Sequence, residues 1–229
     1  MTPERSTGRG SGTAFRQRLE ELKERGCAIL VVGSVPSDVT ARACERMLGE
    51  TDRRPRHRVL AFTNGRGAIE RGIPERCARD DGDTAVISAA ATRGAAAATA
   101  ADVDVPVREL ETASLAELGV AVSEAIETFE RRHGPLDPGD LRVCLNSLLP
   151  LLDEHGDRTV FEFALLTAAR VRTAGGIGHF HLPAERDAVV VRQLAPVFDA
   201  VIQLRTLDDE PQQRWLIDDE GIRSGWLPL

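Results

Sequence analysis

Residues 27–33 read CAILVVG, an uninterrupted apolar run closed by a glycine. A strand with one face in water alternates apolar and polar residues. A run without alternation fits a strand covered on both faces, as in a parallel sheet. Comparable short runs recur at 59–62 (VLAF), 84–90 (TAVISAA), 141–147 (LRVCLNS), 177–182 (IGHFHL) and 198–206 (FDAVIQLRT). Helical segments separate them. Residues 14–25 carry Phe15, Leu19 and Leu22 on one face, and 114–133 carry Leu115, Leu118, Val122, Ile126 and Phe129. Further helices are expected at 38–49, 158–176 and 184–196. This alternation predicts an α/β fold with a mainly parallel sheet and helices on both faces.

The remaining segments complete one domain over 14–229, preceded by a polar tail, 1–13, expected to be disordered. Ser114 and Glu117 have the spacing of a capping box. Pro106 lacks a ladder donor, which places 105–110 on a sheet edge. Residues 64–83 are Gly- and Arg-rich, with room for one helix near 68–78, and 90–102 are a low-complexity loop with some helix. Residues 134–140 are turn-rich, and 212–229 are expected to form an antiparallel hairpin turning at Asp218–Gly221.

Composition narrows the function classes. The formal charge is −7, which disfavours wrapping nucleic acid, where phosphate neutralisation dominates affinity. Lys23 is the only lysine and there is no tyrosine, a bias expected of a GC-rich genome and a halophilic source. No apolar run approaches the ~20 residues of a membrane helix, and the N-terminus lacks the apolar core of a secretory signal. A cytoplasmic location is the expectation. Cys27, Cys44, Cys77 and Cys144 are scattered without a C-x-x-C pair, so they read as small buried hydrophobes rather than zinc or redox ligands.

The loop after Gly33 carries the first functional question. Gly33 to Thr40 has the length of the phosphate-binding pattern G-x-x-x-x-G-K-[ST] behind a buried strand. Asp38 stands at the second glycine and Val39 at the lysine. Two unit charges ~4 Å apart repel by about 4 kcal/mol at an effective dielectric near 20. At ~1.4 kcal/mol per tenfold in affinity, Asp38 alone would suppress useful ATP binding. The simpler expectation is that Ser37 or Asp38 N-caps the following helix.

A second stretch, RVCLNSLLPLL (142–152), lies at the end of another apolar run. Taken with the Gly33 loop, VLAFTNG, and GGIGHFHLP…FDAVIQLRTLDDEPQQRWLI, it resembles the haloarchaeal KaiC-like proteins of the RecA superfamily over roughly residues 15–217. That resemblance implies a RecA-like sheet and a nucleotide site built from Gly33, Ser37, Asp38, Val39, Thr40, Asn146 and Ser147. It places Asn146 where the family has a magnesium-orienting Asp, and Thr63–Asn64 where it has paired catalytic carboxylates. Thr40 and Ser147 are kept. An amide supplies no negative charge for hydrated Mg²⁺, and no base remains to activate water. The implied function is a non-hydrolysing regulatory or protein-interaction module, with no catalytic residues, no cofactor, and a protein partner or self-association. The rival is weak ATP or GTP binding, with Mg²⁺, at the degenerate loop. A third reading is unrelated enzyme chemistry in the crevice at the carboxyl ends of the strands.

Other candidates are weaker. His179 and His181 lie two apart on a strand and share a face, but no third metal ligand is evident, which favours structural histidines. RRPRHR (53–58) and RGAIERGIPERCAR (66–79) read as a solvated surface balanced by Asp80, Asp81 and Asp83, with an anion patch as the alternative. Asp153, Glu154 and His155 read as a charged turn without a nucleophile to complete a triad.

Overall fold

Alternate residues of β1 (Cys27–Val32) enter opposite cores, and all six are buried. Ala28, Leu30 and Val32 meet one helical layer; Cys27, Ile29 and Val31 meet the other. This is the geometry that an unbroken apolar run requires. The computed structural model describes residues 8–49, 56–64, 69, 73–74, 77, 83–89, 105–110, 114–217 and 221–229.

Around β1 the strands are β2 (His57–Phe62), β3 (Thr84–Ser88), β4 (Val107–Glu109), β5 (Leu141–Leu145), β6 (Ile177–Leu182), β7 (Ala200–Leu207), β8 (Glu210–Ile217), β9 (Ile222–Arg223) and β10 (Leu227–Pro228). They form one ten-stranded sheet in the order β10-β8-β7-β1-β6-β5-β2-β3-β4, with β9 also paired to β8. All pairings from β7 to β4 are parallel; those of β8, β9 and β10 are antiparallel. The α/β, mainly parallel expectation holds, and β4 is the edge strand that Pro106 implied. Among the described residues the bounded helices are α1 (Gly8–Arg25), α2 (Ser37–Leu48), α3 (Leu115–His133), α4 (Leu149–Thr173) and α5 (Val189–Leu194), which runs into a 3₁₀ turn, Ala195–Val197. Residues of α3, α4 and α5 cover one face of the sheet; those of α1 and α2 pack on the other.

Several local expectations change. The first helix starts at Gly8, so residues 8–13 continue α1 rather than belonging to a tail. Ser114 sits at the N-cap of α3 in an extended conformation, but its side chain makes no cap bond. Asp153, Glu154 and His155 are not a turn; they close the first helical segment of α4, which breaks at Gly156 (φ 74°, ψ 165°) before resuming. The main hairpin joins β7 to β8 through Asp208 (φ 50°) and Asp209 (φ 62°), a left-handed pair suited to a two-residue turn. β8 also pairs antiparallel with the short β9, Ile217 opposite Ile222, while residues 218–220 of the expected Asp218–Gly221 turn lie outside the described residues. Most of 64–83 and all of 90–102 lie outside the described residues.

At the amino ends of the strands, Asp199 ties four elements together. Its carboxylate accepts from the Ala28 amide at 2.8 Å, Arg172 Nε at 2.7 Å and Arg25 Nη2 at 3.1 Å. The opposite, carboxyl ends of β1, β6 and β5 are thereby left to carry the loops that line a cavity, where ligands of open α/β sheets commonly bind.

Candidate functional site

A cavity of about 300 Å³ opens there. Its walls are largely apolar (Val31, Val35, Leu60, Phe62, Leu204), and its polar lining includes Ser37, Thr40, Asn64, Asn146 and Ser147. Gly33, Ser37, Thr40, Asn146 and Ser147, drawn from the two separate motifs, therefore meet around one space. Asp38 and Val39 are not among the lining residues. Asp38 is exposed in the first turn of α2. Val39 is 3% exposed and packs with Leu22, Ile29 and Ile202.

The loop's backbone is engaged within the protein. The Gly33 N–H donates to the Ala184 carbonyl at 2.9 Å. Gly33 has φ +139°, and a Cβ there would lie 2.5 Å from the Leu204 carbonyl oxygen, so glycine serves β7 packing. The helix cap is Pro36, not Ser37 or Asp38, and no side chain caps α2. The N–H groups of Val39 and Thr40 both donate to the Pro36 carbonyl, at 3.1 and 3.2 Å.

Across the cavity, the Asn146 side chain is also committed. Its Oδ1 accepts from the Thr63 N–H at 2.8 Å and the Thr63 hydroxyl at 3.2 Å. The same hydroxyl donates to the Ser147 carbonyl at 2.7 Å. Ser147 Oγ accepts from the Leu149 N–H at 3.2 Å, a local bond at the entry to α4. Thr63, Asn146 and Ser147 thus clamp the ends of β2 and β5 together.

The deepest group at this end was not legible as a set. Cys44 of α2, Cys144 of β5, and His179 and His181 of β6 are all buried, and one candidate ligand atom from each lies within 4.8 Å of the others. Parallel pairing sets Cys144 beside His179. The period of two puts His181 on the same face, the rings meeting edge-on with centroids 5.3 Å apart. Cys44 Sγ lies 3.1 Å from Cys144 Sγ and 3.4 Å from His179 Nε2. The bond with Cys144 holds the Cys44 thiol well below the ordinary range, while that bond and burial push Cys144 well above it. Burial lowers His179, which favours neutral imidazole. Both ring nitrogens of His181 and Nδ1 of His179 are buried without a hydrogen-bond partner. Each such atom costs about 1–3 kcal/mol.

Residues 26–204 match a family described as a family of unknown function, DUF7504. The chain belongs to DUF7504. The matched DUF7504 region runs from the residue before β1 into β7, so it contains the whole cavity lining and the Cys/His cluster, and leaves out α1 and the β8–β10 extension. No protein of curated function matches the sequence.

Of the other candidates, Cys44, Cys144 and His181 reach the DUF7504 cavity and line part of it. All four cysteines are buried, as expected of small hydrophobes, but Cys44 and Cys144 also face the histidines. RRPRHR is not a solvated surface where it is described. Arg58 is fully buried, and Arg56 donates to the Gly139 carbonyl and pairs with Asp140 at 3.0 Å. Burial and the neighbouring Arg56 push Arg142 down to about 10. His57 Nδ1 and the Asp83 carboxylate are hydrogen-bonded at 3.0 Å, and Asp80 and Asp81 lie outside the described residues. Among the described residues no helix is long and apolar enough to cross a membrane.

Proposed function

We propose that this chain is a non-hydrolysing RecA/KaiC-like domain acting as a regulatory or protein-interaction module in the cytoplasm. One observation carries the reading: the residue at the magnesium-orienting position is Asn146, and its carbonyl oxygen holds Thr63 at 2.8 and 3.2 Å. An uncharged group spent on joining β2 to β5 is a poor partner for hydrated Mg²⁺. Val39, at the lysine position, belongs to the core. Thr63 and Asn64, at the carboxylate positions, offer no general base.

The second reading, weak ATP or GTP binding, has its own support. Ser37, Thr40, Asn146 and Ser147 line one cavity at the carboxyl ends of parallel strands. Its volume, about 300 Å³, is at the low end for a small-molecule site. Titration with a fluorescent ATP analogue, then GTP, with Mg²⁺ at high salt separates the two readings. No binding below millimolar and no phosphate release are expected. Micromolar affinity overturns the preferred reading. Light scattering and pull-down from the native host then test for a second copy or a protein partner.

A further inference from the structure

We propose that Cys44, Cys144, His179 and His181 form a closed zinc site joining α2 to β5 and β6. The donor set is two sulfurs and two imidazole nitrogens, the combination of tetrahedral structural zinc sites. The four groups come from three elements and converge in a buried space.

The size of the space fits. Tetrahedral geometry with Zn–S near 2.3 Å and Zn–N near 2.0–2.1 Å puts the two sulfurs about 3.8 Å apart and each sulfur about 3.5 Å from a nitrogen. The Cys44–Cys144 separation is 3.1 Å and the Cys44–His179 separation 3.4 Å. Opening the sulfur pair by about 0.7 Å admits the ion, a shift within reach of cysteine rotation. The surroundings also call for a ligand. His181 is 2% exposed, and neither of its ring nitrogens has a hydrogen-bond partner. Coordination satisfies one of them and binds both sulfurs as thiolates, any thiol proton leaving to solvent.

With four protein ligands the ion would be structural. It would fix Cys44, a cavity-lining residue of α2, against Cys144 and His181 on the sheet. Cavity shape would then follow zinc occupancy whichever reading of the cavity holds.

The test uses the full chain, purified without chelator or added metal. Elemental analysis is expected to find one zinc per chain. After stripping, titration with Co²⁺ should give thiolate-to-cobalt charge transfer and the intense d–d absorption of a tetrahedral site. Both should saturate at one equivalent and be displaced by Zn²⁺. Cys44→Ala and His181→Asn are expected to weaken binding by more than the ~100-fold that even outer-shell partners are worth; Cys27→Ala should leave it unchanged. A folded, stripped chain giving no thiolate-to-cobalt band overturns the proposal, whatever the variants do. A band that survives in Cys44→Ala and His181→Asn, or copper or iron in place of zinc, also overturns it.

Discussion

Val39→Lys tests directly whether the loop after β1 is a phosphate loop or a connection. Val39 is 3% exposed, in the cluster of Leu22, Ile29, Ala43 and Ile202. A lysine there adds volume to a packed core, at about 1–3 kcal/mol. It also buries an ammonium, which lowers a lysine pKa by up to ~3–5 units, or about 4–7 kcal/mol at ~1.4 kcal/mol per unit. Taking the low end of each gives a loss of about 5 kcal/mol at neutral pH, the whole margin of many domains. The pH dependence has a defined sign. The folded-state pKa lies below the unfolded value near ~10.4, so the unfolded chain binds more protons and stability rises with pH up to that value. Urea melts at several pH values, followed by tryptophan fluorescence, measure both effects. Val39→Met, close to lysine in size but apolar, should cost only the overpacking, about 1–3 kcal/mol, with a flat pH profile. A Val39→Lys chain within about 1 kcal/mol of the parent, with a flat pH profile, would mean that this side chain reaches the cavity. The reasoning would then fail, and Mg-ATP should stabilise the triple variant Asp38→Gly, Val39→Lys, Asn146→Asp.

Three further outcomes are expected. Gly33→Ala combines backbone strain of about 1–3 kcal/mol with a contact at 2.5 Å to the Leu204 carbonyl, so urea melts should show a loss of about 3 kcal/mol. Asp199→Ala strands the Ala28 N–H and leaves the Arg172 guanidinium only its bond to the Val197 carbonyl, and should cost about 2–4 kcal/mol in the same assay, whereas Arg25→Ala, whose pair is half exposed, should cost under about 1 kcal/mol. Burial, aided by Asp199, pushes the Cys27 thiol up to about 12, so iodoacetamide at pH 8 should label it far more slowly in the folded chain than in urea, as read by peptide mass spectrometry.

The strands were legible because burial on both faces leaves an unmistakable apolar run, as in β1 and β6. Their ends were less so. Ser37 and Asp38 look like caps, yet Pro36 takes that position because its carbonyl receives the Val39 and Thr40 amides. Gly156 was hidden by strong helical periodicity on its C-terminal side, so the helical turns from Leu149 read as a charged loop. The β7–β8 hairpin was hidden because neither Asp208 nor Asp209 is a glycine, though Asp tolerates the left-handed region. Gly33, Ser37 and Thr40 were picked out by the loop's spacing and Asn146 and Ser147 by the family resemblance, and these five line one cavity. The Cys/His cluster was half visible, as His179-x-His181; its sulfurs come from distant segments that only sheet pairing joins.

That separation has a consequence for the order of assembly. Cys44 and Cys144 are 100 residues apart, and Cys44 and His179 are 135 apart. Contacts of such range carry a large loop-closure cost and are slow to form, so the site is expected to assemble late, with the pairing of β5 and β6. An ion at these residues could not nucleate the chain, as a short finger motif does for its own segment. It would be captured late, by a sheet already in register, and its presence would distinguish finished molecules from those still maturing.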